Sequence, residues 1–321
     1  MAVTRTKYII NIMAHNEEDT IERAVKAVSA QKVEKGNTIE IHVFTNGCTD
    51  HTEDIVRDIA TLHKNVKLHS ISKKGKANAL KECISYFSKE RQLDCVESKD
   101  RLFFMDADIS IPEKNLLSML SKKLDTSEHL YLVSALPVPD SLYNQRKTFV
   151  AELFRIRFYL QYTFKKNLVR GACHVLRWSV LQRLNLPEHL LSTDMFLECK
   201  LDGHFLMDRD LQVTIKLKPT LGLEIKRDLL HQIAREQVYY WRRKGLLPRL
   251  DRENALPECF LSPLEPKEYL WHLTKKRKIR SIIILSFWMI IFKYNQCRAR
   301  RIFSRSLNEG INLIDYWSTK R

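Results

Sequence analysis

Apolar residues in the first third of the chain come in short runs separated by polar turns. Lys7 to Met13 (KYIINIM) is a β-branched run of strand length that stops at a polar turn. The period changes in the following NEEDTIERAVKAV. There Ile21, Val25 and Val28 recur at helical spacing behind an acidic first turn, which suits the positive end of a helix dipole. The exchange then repeats. Ile39 to Thr45 reads as a strand, and Ile55, Ile59 and Leu62 form the stripe of a helix whose start carries Asp50 and Glu53 at capping-box spacing. Val66 to Ser72 is a third strand. A helix from Gly75 onward buries Ala77, Leu80, Ile84 and Phe87, and RLFFMD (Arg101 to Asp106) is a fourth strand.

Such alternation predicts an α/β fold with a mostly parallel sheet covered by helices on both faces. In open sheets of this kind ligands bind beyond the carboxyl ends of the strands, where the polar turns AHNEE, TNGCTD and DADIS fall. After Pro112 the alternation loosens. A helix (EKNLLSMLSKKL) leads to a strand (LYLVSAL) and then to an aromatic, basic stretch from Tyr143 to Lys166. In that stretch Phe149, Leu153, Ile156 and Leu160 stand at helical spacing. GACHVLR reads as another strand, and STDMFLECKL places Asp194 at the start of a helix.

The length of 321 residues suits one large domain, or one domain with an appendage. The net charge of +16 is unevenly placed: roughly +4 falls in the first 225 residues and roughly +12 in the last 96. An acidic partner for the tail, anionic lipid or nucleic acid, would match that asymmetry. The seven cysteines form no CxxC and lack zinc-ligand spacing, so reduced thiols and a cytoplasmic setting are expected. No apolar leader opens the chain, so no signal peptide is expected. None of the eight glycines build GxGxxG or GxxxxGK[ST], and neither HExxH nor GxSxG occurs.

What carries chemistry is Asp106 and Asp108 at the end of the fourth strand. Two carboxylates one residue apart point to the same side of a strand, repel each other and lose hydration near a core. A cation would offset that cost. Carboxylate oxygens are hard ligands suited to Mg²⁺ or Mn²⁺, and such an ion can hold a diphosphate and neutralise a leaving group.

The series AHNEEDTIERAV, TNGCTDHT, KKGKANAL, FFMDADISIP, RGACHVLR and STDMFLECKL, in that order over residues 7 to 245, resembles the family 2 glycosyltransferases. These are inverting enzymes with a GT-A fold. The resemblance implies a GT-A domain over residues 1–225 and a basic helical region over 226–321. It implies a nucleoside-diphosphate sugar as donor, and an acceptor with a free hydroxyl. It also implies that His15, Asn16, Glu17, Thr45, Asn46, Lys76 and Asp106 line the nucleotide-sugar site, and that Asp106 and Asp108 meet the metal. Asp194 would be the general base. Gly171, Gln237 and Trp241 would contact the acceptor or the diphosphate. Three positions depart from the family pattern: Thr45 and Thr193 replace acidic residues, and Tyr240 replaces the arginine of a QxxRW motif. Processive relatives carry several membrane spans and this sequence shows none, so transfer of a single sugar is expected.

The tail KKRKIRSIIILSFWMIIFKYNQCRARR (Lys275 to Arg301) contains a 12-residue apolar run, Ser281 to Phe292. It would reach about 18 Å as a helix, short of the roughly 30 Å of a bilayer core. Basic clusters on both sides suit a peripheral anchor on anionic lipid, and hence a lipid-linked acceptor; a core helix with solvated flanks is the other expectation. Two other functions compete. A sugar-phosphate nucleotidyltransferase would also use a metal and carboxylates, but AHNEE lacks the glycine of its phosphate loop. A nucleic-acid-binding protein would explain the charge, but no binding motif is present, so no specific nucleic acid is expected.

Overall fold

The computed structural model describes residues 5–92, 99–140, 148–153, 155–156, 169, 171–187, 190–215, 220–245, 279–309 and 313. The chain forms two compact units that interleave along the sequence. One comprises Met1–Val138, Leu168–Pro187 and His204–Lys216; the other comprises Pro139–Asn167, Glu188–Gly203 and Leu217–Arg321.

The first unit opens as the sequence predicts: β1 (Lys7–Ala14), α1 (Ile21–Ser29), β2 (Thr38–Asn46), α2 (Thr52–Leu62), β3 (Val66–Ile71), α3 (Lys76–Gln92) and β4 (Arg101–Asp106). β5 (Ile109–Ser110), α4 (Leu116–Asp125), β6 (Leu132–Pro139), β7 (Cys173–Arg177) and β8 (Phe205–Ile215) complete a single sheet of order β3-β2-β1-β4-β7-β6-β8-β5. β3, β2, β1 and β4 run parallel, as expected. Beyond β4 the sheet is mixed, because β7 runs antiparallel to both β4 and β6, and β5 antiparallel to β8.

The buried positions of β1, β2 and β4 supply much of the core of the parallel half. Ile10, Ile12, Ile41 and Val43 share one core with Ile21, Val25 and Val28 of α1 and Val56 of α2. On the opposite face stand the alternate residues of β2 and β3. His42 and His69 stack at 5.1 Å and share a hydrogen bond of 2.9 Å between Nδ1 and Nε2, with Tyr86 and Phe87 of α3 packed edge-on against them. His42 also faces Glu40, 3.2 Å from its Nε2.

The second unit is helical: α5 (Thr193–Leu201), α6 (Leu221–Arg243) and α7 (Ile279–Glu309). The boundary expected after residue 225 falls inside the continuous α6. Ile284, Leu285 and Trp288 of α7 pack with Leu153 and Ile156; further along, Ala299 and Phe303 pack with Leu229 and Ile233 of α6. A buried amide joins the two long helices, for Asn295 Nδ2 donates to Ile225 O (3.1 Å) and to Asp228 Oδ2 (3.0 Å). Of the aromatic stretch 143–166, residues 149–153 and 155–156 are helical, Thr148 is a bend before them, and the rest lies outside the described residues. Among the described residues, no helix is long and apolar enough to cross a membrane.

Burial first, and then the charge of His42, push the pKa of His69 down to about 4. In the unfolded chain it titrates near 6.5, so between these values the unfolded state binds more protons. Stability is therefore full above pH 6.5 and falls as the pH drops towards 4, by at most about 3 kcal/mol. Denaturant midpoints followed from pH 7 to 4 should show this loss, and His69→Gln should flatten it.

Candidate active site

Because β2, β1 and β4 are neighbours in the sheet, their carboxyl ends lie side by side and the loops leaving them are stitched together. His15 Nδ1 lies 2.8 Å from Asn46 O, and Asn46 Nδ2 donates to Ala14 O at 2.8 Å. Asn46 Oδ1 accepts from Gly75 N (3.1 Å), so this buried carboxamide clamps the ends of β1 and β2 to the start of α3. Asn16 adopts a left-handed φ of 56° and pairs with Thr49, whose N–H donates to Asn16 Oδ1 at 2.8 Å. The Glu17 N–H donates to Thr52 Oγ1 (2.7 Å), and the Glu18 N–H to Asp50 Oδ2 (3.2 Å).

Gly47 turns the chain at φ +63°, where a Cβ would lie 2.6 Å from Lys74 Cγ. The chain bends at Gly47 as it leaves β2, and both backbone conformation and space select glycine.

The capping box expected from Asp50 and Glu53 does not form. His51 precedes α2 with no side-chain cap. Asp50 instead closes a short turn, its Oδ1 accepting from the N–H (3.1 Å) and hydroxyl (2.6 Å) of Thr52. Burial pushes the Asp50 pKa up, but the hydrogen bonds from Thr52 and Glu18 outweigh it and hold the group below its usual range. Glu53 reaches sideways to the sheet: the buried Thr45 and the more exposed Ser70 each donate a hydroxyl to its Oε1 at 2.8 Å. Spacing from Asp50 offered no sign of this role, since the partners come from two different strands.

Asp106 ends β4, the buried Ala107 follows, and Asp108 is half-buried beyond it. The cation beside Asp106 comes from the chain itself. Lys76, the first residue of α3, places Nζ 2.5 Å from Asp106 Oδ1 and 3.2 Å from Gly171 O. The resemblance implies that Lys76 lines the nucleotide-sugar site; its ammonium is shared between a carboxylate and a main-chain carbonyl. Glu17 completes the cluster. Burial raises its carboxyl pKa most, and the charges of Asp108, Asp106 and Asp50 raise it further against the opposing Thr20 hydroxyl, which donates to Glu17 Oε2 at 2.5 Å.

This donor set fits a divalent cation held jointly with a ligand. The oxygens are hard, and burial first, then the neighbouring carboxylates, disfavour ionisation of Glu17. Yet no group of three acidic, histidine or cysteine residues among the described ones could hold a metal. Asp106 already faces Lys76, which leaves Asp108 as the open carboxylate, with phosphate oxygens to complete the shell.

In the second unit Ser192, not Asp194, caps α5, its hydroxyl accepting from the Met195 N–H at 3.4 Å. Asp194 therefore stands half-buried in the first turn without serving as the cap; the Thr193 hydroxyl lies 3.4 Å from its Oδ1. The buried Gln237 accepts from the Leu191 N–H at 3.1 Å and so braces the segment leading into that turn. Trp241 is half-buried one turn further along α6.

A cluster of carboxylates and a lysine lies at the carboxyl ends of parallel strands, where open α/β sheets bind their ligands, in a sheet that turns antiparallel beyond β4. The glycosyl transferase family 2 model matches residues 9–184, more than half of the chain, and the chain belongs to that family. It is a glycosyltransferase. Among solved structures, the mannosyltransferase PcManGT from Pyrobaculum calidifontis, in complex with GDP-Man and Mn²⁺, is 17% identical. The match covers 94% of this chain and 84% of that one, with a TM-score of 0.57. The mannosyl-3-phosphoglycerate synthase from Rubrobacter xylanophilus (17% identity, 79% of each chain) gives 0.48. The glucosyl-3-phosphoglycerate synthase of Mycobacterium tuberculosis (18% identity, 77% of this chain, 83% of that one) gives 0.46. No curated protein matches the chain significantly.

A raised Glu17 pKa means that its ionised form is disfavoured in the folded state. That ionisation costs stability above the folded pKa. Glu17→Gln should therefore raise the melting temperature of the metal-free protein at pH 7, and the gain should shrink below pH 4, where the wild-type carboxyl is protonated. Gly47→Ala should destabilise by roughly 1–2 kcal/mol in a denaturant titration, the cost of a left-handed non-glycine residue.

Proposed function

We propose that the protein transfers a single sugar from a nucleoside-diphosphate sugar to an acceptor hydroxyl, with inversion at the anomeric carbon. The observation that carries this is the carboxylate cluster at the end of β4, with Asp106 on Lys76 and Asp108 open, in a chain of this family. The Mn²⁺ and GDP-Man bound by the Pyrobaculum mannosyltransferase support a divalent cation and a nucleotide sugar here, with Mn²⁺ favoured over Mg²⁺. When bound, such a cation neutralises charge on the departing diphosphate.

Asp108 would hold the cation, and Asp106, fixed by Lys76, would face the ribose side of the donor. His15, Asn16, Glu17, Thr45 and Asn46 would shape the nucleotide end. Asp194 would take the proton from the acceptor hydroxyl as that oxygen attacks the anomeric carbon. The bond from that carbon to the diphosphate oxygen breaks in the same displacement, and its electron pair leaves with the nucleoside diphosphate. No covalent enzyme intermediate forms. Ser192 takes the capping duty and Gln237 braces Leu191, so Asp194 would act as the base from a fixed turn. Gly171, with its carbonyl on Lys76, supports the diphosphate side, and Trp241 would offer a surface to the acceptor. The apolar and basic character of the C-terminal region favours an acceptor carried on lipid.

With a nucleotide sugar and a competent acceptor, Asp194→Asn should lower turnover by about 10²–10⁴-fold and leave donor binding intact. Asp108→Ala should lower turnover by roughly a hundredfold or more and abolish the effect of added Mn²⁺. Near wild-type turnover in either variant would remove that residue from its role.

A further inference from the structure

Helix α7 is apolar on more of its circumference than its core uses. Ile284, Leu285 and Trp288 are buried, and the same side continues through the buried Asn295, Ala299, Phe303 and Ser306. Turned well away from that side, Ile279, Ile283, Phe287, Ile290 and Tyr294 are 71%, 64%, 44%, 71% and 65% exposed. Their steps of four, four, three and four residues make one stripe, about 23 Å long at 1.5 Å per residue. Phe149, also exposed, meets Phe287 edge to face at 5.6 Å and widens it. Continuing by four, three and four residues, the same stripe changes character and carries the exposed Arg298, Arg301 and Arg305. In all the helix has six basic residues (Arg280, Lys293, Arg298, Arg300, Arg301 and Arg305) against the single acid Glu309, and Lys275, Lys276, Arg277 and Lys278 precede it in sequence.

We propose that this face of α7 docks the protein onto an anionic lipid bilayer, with the apolar stripe lying in the plane of the interface and the arginines on the headgroups. The pattern selects that partner. Nucleic acid would satisfy the arginines but leave five apolar side chains and Phe149 in water. A second copy packed in parallel would set Arg298, Arg301 and Arg305 against their own duplicates. An anionic bilayer meets both halves at once, apolar side chains in the acyl boundary and cations at phosphate level. α7 is not long and apolar enough to cross a membrane, and a surface position suits that. The inference rests on α7 alone; joined to glycosyl transfer, it brings the enzyme to the surface where a lipid-borne acceptor resides.

The test is flotation of the full chain with phosphatidylcholine vesicles, with and without phosphatidylserine. The wild type should float with the mixed vesicles, bind phosphatidylcholine alone weakly, and release as salt is raised. Ile283→Ser, Phe287→Ser and Ile290→Ser together should reduce vesicle binding about tenfold or more while thermal unfolding stays cooperative, since all three sites are exposed. Arg298→Gln and Arg301→Gln should each weaken binding to the mixed vesicles about fivefold and leave binding to phosphatidylcholine unchanged. A wild type that floats with neither vesicle overturns the proposal, as does a triple-serine variant that floats like the wild type. A dimer in sedimentation that the triple variant dissociates would assign the face to a second copy. Salt-sensitive RNA binding lost only in the arginine variants would assign it to nucleic acid. None of these outcomes depends on nucleotide binding, so each is separable from failure of the glycosyl-transfer proposal.

Discussion

Negative charge gathered at the carboxyl end of β4 is the constraint around which the first unit is organised. A strand cannot finish in Asp-Ala-Asp beside Glu17 without repulsion and loss of hydration, and the raised pKa of Glu17 registers that cost. Lys76 meets part of it by placing its ammonium on Asp106, with the Gly171 carbonyl as a second acceptor. The remainder falls on Asp108 and Glu17. In the function proposed above, a cation arriving with its ligand would meet those carboxylates, and an anionic diphosphate would bring oxygens to share it.

The surrounding loops make that end rigid with few resources. Asn46 spends both ends of its amide on Ala14 and Gly75, Asn16 pairs with Thr49, and Asp50 gathers Thr52 and Glu18. These side chains therefore act mainly by fixing backbone that a nucleotide could meet. Glu53 follows the same logic. The family often has an acid where this chain has Thr45, and here a carboxylate enters from α2 and accepts the Thr45 hydroxyl.

The parallel half of the sheet was legible because its strands are short segments rich in β-branched and apolar residues bounded by polar turns, and the helices between them carry apolar stripes. β8 was not, because Asp208, Arg209 and Asp210 interrupt it; the structure accommodates them by pairing Asp208 with Lys123 at 3.3 Å and exposing the next two residues. The antiparallel turn of the sheet beyond β4 was equally hidden, since strand direction depends on contacts far apart in sequence. In the tail, the 12-residue apolar run proved to be less than half of a 31-residue helix. The helix continues past Phe292, where the exposed Lys293 breaks the run, and its packed side goes on through Asn295, Ala299, Phe303 and Ser306, which are buried. The sequence placed Asp194 at the start of a helix, and the residue that caps that helix is Ser192, two positions earlier.

The most direct test of the central claim is thermal unfolding of the purified full chain with a panel of nucleoside diphosphates and sugar nucleotides, in Mn²⁺ and in EDTA. A carboxylate cluster awaiting a cation and a diphosphate predicts a rise in melting temperature with one nucleotide base, present in Mn²⁺ and lost in EDTA. A folded sample that shifts with none of them, or that shifts equally in EDTA, would contradict it.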